Sequence, residues 1–213
     1  MTLGSEAVQL WAGGPYWASM NVGALIPTDY GYYFNWGGTT DVTSTTIDLG
    51  WNNNCPYWAG TSSTDIKFSK YVPTGSSYWG GSGTADNKTT LEAADDAARA
   101  NWGGSWRMPT EAEFTALLNN TARTWQSNYN SSGHAGYLFT GKGDYANKSI
   151  FLPAAGGRNG TLLLDQGSHG YYWSSSLNTI LPGYGRYLYF YSGNAGMYDC
   201  NRCYGRSVRP VHD

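Results

Sequence analysis

The sequence predicts an α+β fold built from two short helices, small sheets and long irregular loops. Two capping-box signatures lie close together near the middle of the chain, and brief aromatic runs bounded by Gly, Asn, Ser and Pro recur along the rest. With 29 glycines and only 13% charged residues, few stretches can sustain a long helix.

The ends of both helices are written locally in the sequence. In "TTLEAADDAARANWGG", Thr89 and Glu92 have capping-box spacing, and Leu91, Ala94, Ala97 and Ala98 recur near helical spacing before Gly103 and Gly104. In "WRMPTEAEFTALLNN", Thr110 and Glu113 repeat the box after Pro109, with Phe114, Leu117 and Leu118 on one face. Paired carboxylates can serve as a catalytic acid and base. Asp95, Asp96, Glu111 and Glu113, however, sit in first turns, where the helix dipole favours acids, so the expectation is capping and solvation. The runs "GYYFNWGG", "SIFLPAAG", "GYYWSSS", "RYLYFYSG" and "RSVRPV" read as strands. The stretch "VPTGSSYWGGSGTADNK" is too long and too aromatic for a bare linker, which predicts a loop packed onto the body. One domain over 1–213 is expected, with a single core that includes Trp36, Trp102, Trp106, Phe114, Leu117, Leu152 and Val208.

Composition excludes several function classes. A net charge of −2 supplies neither a basic stripe for nucleic acid nor a polybasic membrane anchor. No apolar run approaches the roughly 20 residues of a membrane span, and "MTLGSEAVQLW" has no signal-peptide pattern, as fits a virion component or a domain excised from a secreted chain. Ten Trp and eighteen Tyr instead suit an aromatic core and a recognition surface, with Gly, Asn and Ser shaping adaptable loops. Three cysteines are too few for a disulfide framework. Cys200 and Cys203 have CxxC spacing, but no second pair follows and His134, His169 and His212 are scattered, so neither a metal nor a redox centre is expected. Asp86, Asn87, Asp144 and Asn147 lack the dense acid pattern of a calcium loop and read as turn formers.

The ordered blocks "YWASMNVGA", "PTDYGYYFNWG", "DDAARANWGGSWRMPTEAEF", "SIFLPAAGGR", "GYYWSSS", "YLYF" and "GRSVRPV" cover nearly the whole chain. Together they resemble the Fibrobacter succinogenes major paralogous domain family. That family is similar to C-type lectin-like folds, shared by formylglycine-generating enzymes and by the variable proteins of diversity-generating retroelements. The resemblance implies two helices on small antiparallel sheets, paired terminal segments, and irregular loops over one face. It also implies a mechanism for sequence variation. Adenine substitution turns an AAC codon into NNC, which never encodes Lys, Glu, Gln, Trp or Met. Between Ser174 and Arg206 only Met197 belongs to that forbidden set.

Residues 174–206 are therefore read as a variable binding segment, in which Cys200 and Cys203 are surface residues drawn from a mutable pool. A strand through "RYLYFYSG" directs Leu188 and Phe190 to one side and Tyr187, Tyr189 and Tyr191 to the other. The expected ligand-binding residues are Asn178, Thr179, Ile180, Tyr184, Arg186, Tyr189, Tyr191, Asn194, Tyr198, Asp199, Asn201, Arg202 and Tyr204. Tyr184, Tyr189, Tyr198 and Tyr204 are expected exposed together above buried Trp173, Leu188, Phe190 and Val208, with Val211 also in the core and Arg209 a structural partner of carbonyls or carboxylates. The function so read is non-catalytic binding of a protein or glycan receptor, displayed on a phage tail or bacterial surface, with no cofactor, no metal and no nucleic acid. The alternative is a fixed carbohydrate-binding or adhesin domain. An enzyme of the formylglycine-generating type would have only Cys200 and Cys203 as reactive groups, and no nucleophile, base and orienting residue recur in a recognisable pattern.

Overall fold

Strand-forming aromatic runs and turn residues alternate throughout, and the computed structural model, which describes residues 6–43 and 55–213, follows that alternation. In chain order the elements are β1 (Ala7–Gln9), β2 (Tyr16–Ala18), β3 (Tyr33–Phe34), α1 (Ala97–Trp102), α2 (Glu111–Asn120), β4 (Ala122–Gln126), β5 (Gly136–Thr140), β6 (Ser149–Pro153), β7 (Gly157–Asn159), β8 (Leu162–Leu164), β9 (His169–Leu177), β10 (Tyr184–Tyr191), β11 (Asn194–Asn201), β12 (Arg206–Ser207) and β13 (Val211–His212). The fold is α+β, with two α-helices and small, mostly antiparallel sheets. Their orders are β1-β2-β13, β11-β10-β9-β12-β3, β4-β5-β6 and β7-β8. The terminal segments pair, since Val211 lies opposite Trp17 and His212 opposite Tyr16.

The helices form for different reasons. In α2 the expected capping box is complete, with Thr110 Oγ1 accepting from Glu113 N and Glu113 accepting from Thr110 N. Arg107 then pairs with the same Glu113 at 2.7 Å. The first helix departs from expectation. Thr89 and Leu91 are drawn into extended pairing with β9, through Leu177 N to Thr89 O and Leu91 N to Ser175 O. Glu92 bonds Lys70 and Lys88 instead of closing a box. A 3-10 turn at Ala93–Asp95 follows, and α1 starts only after Asp96, whose Oδ1 accepts from Arg99 N.

The expected single core is two clusters on opposite faces of the five-stranded sheet, because adjacent residues of β9 and β10 point to opposite sides. Tyr172, Leu188 and Phe190 face Phe114, Leu117 and Leu152. Trp173 and Tyr187 face Trp36 and Val208, with Trp102 packed at the margin. Trp106 is half-buried, edge-on to Trp102 and His212. Gly170 is obligatory here, since a Cβ would come within 2.1 Å of the Phe190 ring. Arg209 is fully buried and donates to the carbonyls of Ala18 (3.0 Å) and Phe151 (2.8 Å) and to Asn21 Oδ1 (2.9 Å), which is the carbonyl role expected for it.

The long loop after Cys55 packs as anticipated, but a bond not anticipated holds it. A third apolar cluster gathers Phe68, Val72 and Cys55 around Cys203, and Cys55 and Cys203 form a disulfide. Cys203 is therefore not a surface residue; it is completely buried. Cys200 points elsewhere, with its Sγ 3.8 Å from Arg206 Nη2, and burial pushes its thiol pKa up to about 11. The CxxC spacing thus joins two cysteines with unrelated surroundings.

Candidate functional site

The half-exposed part of the central sheet is built from β9, β10 and β11. Tyr189 lies opposite Tyr171 of β9 and Gly196 of β11, while Tyr187 lies opposite Trp173 and Tyr198. One face therefore carries His169, Tyr171, Tyr187, Tyr189, Tyr191 and Tyr198 as a connected array. Ring centroids are 5.2 Å apart for Tyr171 and Tyr189, 5.3 Å for Tyr189 and Tyr198, and 5.9 Å for Tyr189 and Tyr191. His169 lies 5.7 Å from Tyr189 and 5.6 Å from Tyr191. Tyr191 and Tyr198 are 38% and 42% exposed, whereas Trp173, Leu188, Phe190 and Val208 below have no exposure. Tyr191 and Tyr198 are thus offered to solvent, with Tyr171 and Tyr189 partly exposed and Tyr187 buried beside them.

A cation lies under this layer. Arg206, almost wholly buried, stacks its guanidinium 4.3 Å from the Tyr171 ring centroid, 5.2 Å from Tyr204 and 5.7 Å from Tyr187. Its Nε has no hydrogen-bond partner among the described residues. Tyr171 donates its hydroxyl to Asp165 Oδ2 at 2.6 Å, and burial together with that carboxylate raises its pKa. Burial raises Tyr187 and Tyr189 in the same direction. Tyr171, Tyr187 and Tyr189 are therefore neutral donors at physiological pH.

Tyr189, Tyr191, Asn194 and Tyr198 share this face as the sequence implied, and Tyr204 joins it through Arg206. Thr179 and Ile180 are exposed on the β9–β10 connection, Ile180 to 83%. The other expected residues are elsewhere or otherwise engaged. Tyr184 and Arg186 alternate onto the opposite side of β10, where Arg186 Nε lies 3.7 Å from Glu111 of α2. Asp199 is opposite Arg186 on that side, and Asn178 donates to it. Asn178 is buried because its Oδ1 caps the turn, accepting from Ile180 N and Leu181 N at 3.0 Å each. Asn201 is buried because its Oδ1 accepts from Cys203 N at 2.8 Å. Arg202 is fully buried. It donates to the carbonyls of Pro182 (3.0 Å), Lys70 (3.2 Å) and Tyr71 (3.4 Å), and its guanidinium sits 4.0 Å from the Phe68 ring centroid. These three are structural pins. His169 and Tyr171, which precede residue 174, and Arg206, whose surroundings are set only when β12 pairs beside β9, belong to the site without having been expected there.

No family model, no curated protein and no solved structure matches this chain.

A second polar cluster gathers around Asp95, which is buried rather than solvated. Its carboxylate accepts from the hydroxyls of Tyr57 and Tyr71 and from Lys70 Nζ at 2.5 Å. Desolvation opposes its ionisation, but Lys70 and the two phenols outweigh it and hold the carboxyl below the ordinary aspartate range. Tyr57, pushed up to about 12 by burial and by Asp95, stays protonated. Tyr57 and Tyr71 adopt left-handed backbone with φ of 63° and 59°, a cost that these bonds help to offset. Asp96 is buried as well, its carboxylate accepting from Arg99 N and Met108 N. Both carboxylates are thus met by donors from within the protein, as suits a brace between the long loop and α1.

Three clefts are lined by residues outside the array. One of 690 Å³ is lined by Glu6–Gln9, Tyr145, Asn147, Lys148 and Ser149, one of 440 Å³ by Trp11, Tyr16 and Ala116, and one of 240 Å³ by Leu91, Asp96 and Arg107. Asp86 accepts from the N–H groups of Tyr71 (2.9 Å) and Val72 (3.1 Å), and Asn87 is left-handed at φ 54°, both as turn formers. Among the described residues no group of three or more His, Cys, Asp or Glu is placed to hold a metal ion.

Proposed function

We propose that this protein is a non-catalytic receptor-binding domain of the C-type lectin-like kind, related to the Fibrobacter succinogenes major paralogous domain family. Its binding face is the tyrosine array of β9, β10 and β11. It is displayed on a phage tail or bacterial surface, and its C-terminal segment is diversified by a retroelement. The observation that carries the reading is the array itself: Tyr171, Tyr189, Tyr191 and Tyr198 with His169, in mutual contact and partly exposed. Aromatic patches of this kind supply binding hot spots, because they bury large areas at small rotamer cost. The two helices, small sheets and paired termini agree with the resemblance. The array runs across three neighbouring strands of one sheet, a breadth of aromatic surface that favours a protein receptor over a small glycan.

The positions free to vary are narrower than the segment 174–206. Asn178, Asn201, Arg202 and Cys203 hold the fold and would stay fixed, while Tyr189, Tyr191, Asn194 and Tyr198 can change. Screening the protein against a library of displayed surface proteins and a glycan array identifies the receptor class. The triple variant Y189A/Y191A/Y198A then loses that binding while keeping its unfolding midpoint. Binding that survives the triple variant, or maps to the α2 side, refutes the proposal. Sequencing the encoding locus for a reverse transcriptase and a near-copy of the segment tests diversification separately.

A further inference from the structure

The five-stranded sheet ends differently at its two edges. At the β3 edge the following loop covers the backbone, with Val42 N donating to Tyr33 O at 2.8 Å and Tyr33 N donating to Thr43 Oγ1 at 3.0 Å. At the other edge lies β11, eight residues long and paired in unbroken register with β10 alone. The two-residue turn Ser192–Gly193 makes Tyr191 and Asn194 the closing pair, so Asn194, Gly196, Tyr198 and Cys200 bond inward to β10. The N–H and C=O groups of Ala195, Met197 and Asp199 therefore point outward, and among the described residues no backbone group pairs with them. Natural edges are blunted by Pro, Lys or a bulge. "NAGMYDCN" contains neither Pro nor Lys, its register has no bulge, and its one charge, Asp199, is tied to Asn178.

We propose that β11 pairs antiparallel with β11 of a second copy of this chain about a two-fold axis at Met197, joining two five-stranded sheets into one. The sequence is self-complementary in that register. Ala195 lies opposite Asp199 of the other copy, Met197 opposite Met197, and Tyr198 opposite Gly196, so a ring meets a space. Three outward residues per chain exchange bonds in full, a count that shifting the axis to Ala195 would reduce, while an axis at Asp199 would call on Asn201, whose carbonyl already accepts from Tyr204 N. The two Asp199 carboxylates are displaced by roughly 14 Å along the strands, beyond the Debye length of about 8 Å, so like charges do not meet. An axis at Asp199 would set them face to face. The tyrosine arrays of both copies then lie on the same side of one sheet.

Sedimentation velocity over a concentration series, with hydrogen exchange at both ends of the series, tests this. Expected are a reversible dimer and amides of residues 195, 197 and 199 that gain protection only in it. A195D sets an acid opposite Asp199 twice per dimer and weakens association about three- to tenfold, whereas A195K strengthens it by a similar factor. Opposite responses at one position separate charge pairing from lost folding, which thermal midpoints of dilute samples monitor. Y189A/Y191A leaves dimerisation intact, so failure of the receptor reading is distinguishable from failure of this one. A monomer at every concentration, equal responses of A195D and A195K, or a dimer without protection at these amides overturns the proposal. So does an edge protected only by an added extended peptide.

Discussion

Replacing Cys55 and Cys203 with Ser removes the bond that ties the long loop to the turn after β11. The bonded residues are 148 positions apart. In the chain-entropy description a loop of that length restrains the unfolded chain by about 17 cal/mol/K, or roughly 5 kcal/mol at room temperature. Measured values usually fall short of that limit, so a loss of about 3–5 kcal/mol is expected against a typical total of roughly 5–15 kcal/mol. Cys203 is fully buried and Cys55 nearly so, and the hydroxyls that replace their sulfurs must also find partners among Phe68 and Val72. The assay is urea unfolding followed by tryptophan fluorescence, comparing the oxidised protein, the same protein in reductant, C55S/C203S, and C200S as control. C200S should stay within about 1 kcal/mol of the parent, because its thiol makes only a long contact with Arg206. A double variant with the parent midpoint, or three titratable thiols in the denatured parent, would refute the reasoning.

Arg202→Ala should cost about 3–5 kcal/mol in the same assay, since it strands the carbonyls of Lys70, Tyr71 and Pro182 and opens a cavity beside Phe68; a change below about 1 kcal/mol would show that the pin is dispensable. The folded-state pKa of Asp95 lies below its unfolded value, so its contribution is complete above that value and disappears as pH falls through the folded one. Acid titration of stability should accordingly flatten in D95N, and an unchanged acid limb would disprove the role of the brace. Tyr57 works in the opposite direction. Its pKa, raised from 10 to about 12, gives stability present below pH 10 and lost as pH rises through 12, an alkaline loss that Y57F removes. Phe190→Ala and Val208→Ala should lower stability by roughly 2–5 kcal/mol, the reverse of the tyrosine triple variant, and equal behaviour of the two groups would erase the distinction between base and surface.

What the sequence disclosed depended on how local the cause was. The α2 capping box needs only Thr110 and Glu113, and the pleat of β10 needs only alternation, so both could be read directly. Thr89 and Glu92 carry the same box signature, yet β9 captures Thr89 and two lysines capture Glu92, contacts that no local pattern announces. Strand β11 lacks a β-branched residue and becomes a strand because the Ser192–Gly193 turn lays it along β10. β4 and β5 were missed because "ARTWQ" and "GYLFT" are short and have little alternation of their own. The candidate site was visible where tyrosines alternate in β10. It was misassigned at Asn178, Asn201 and Arg202, because their partners are reached through turns or lie, for Lys70 and Tyr71, more than a hundred residues away.

The pleat of β10 also constrains how such a surface can evolve. Tyr187, Tyr189 and Tyr191 face one way, and Leu188 and Phe190 the other. A single deleted or inserted codon within Tyr184–Tyr191 would exchange the two sets downstream, turning phenols toward α2 and apolar side chains toward water. Point substitution leaves every other residue's facing unchanged. A lineage that alters this strand can therefore explore new side chains in place, but its length must be inherited intact.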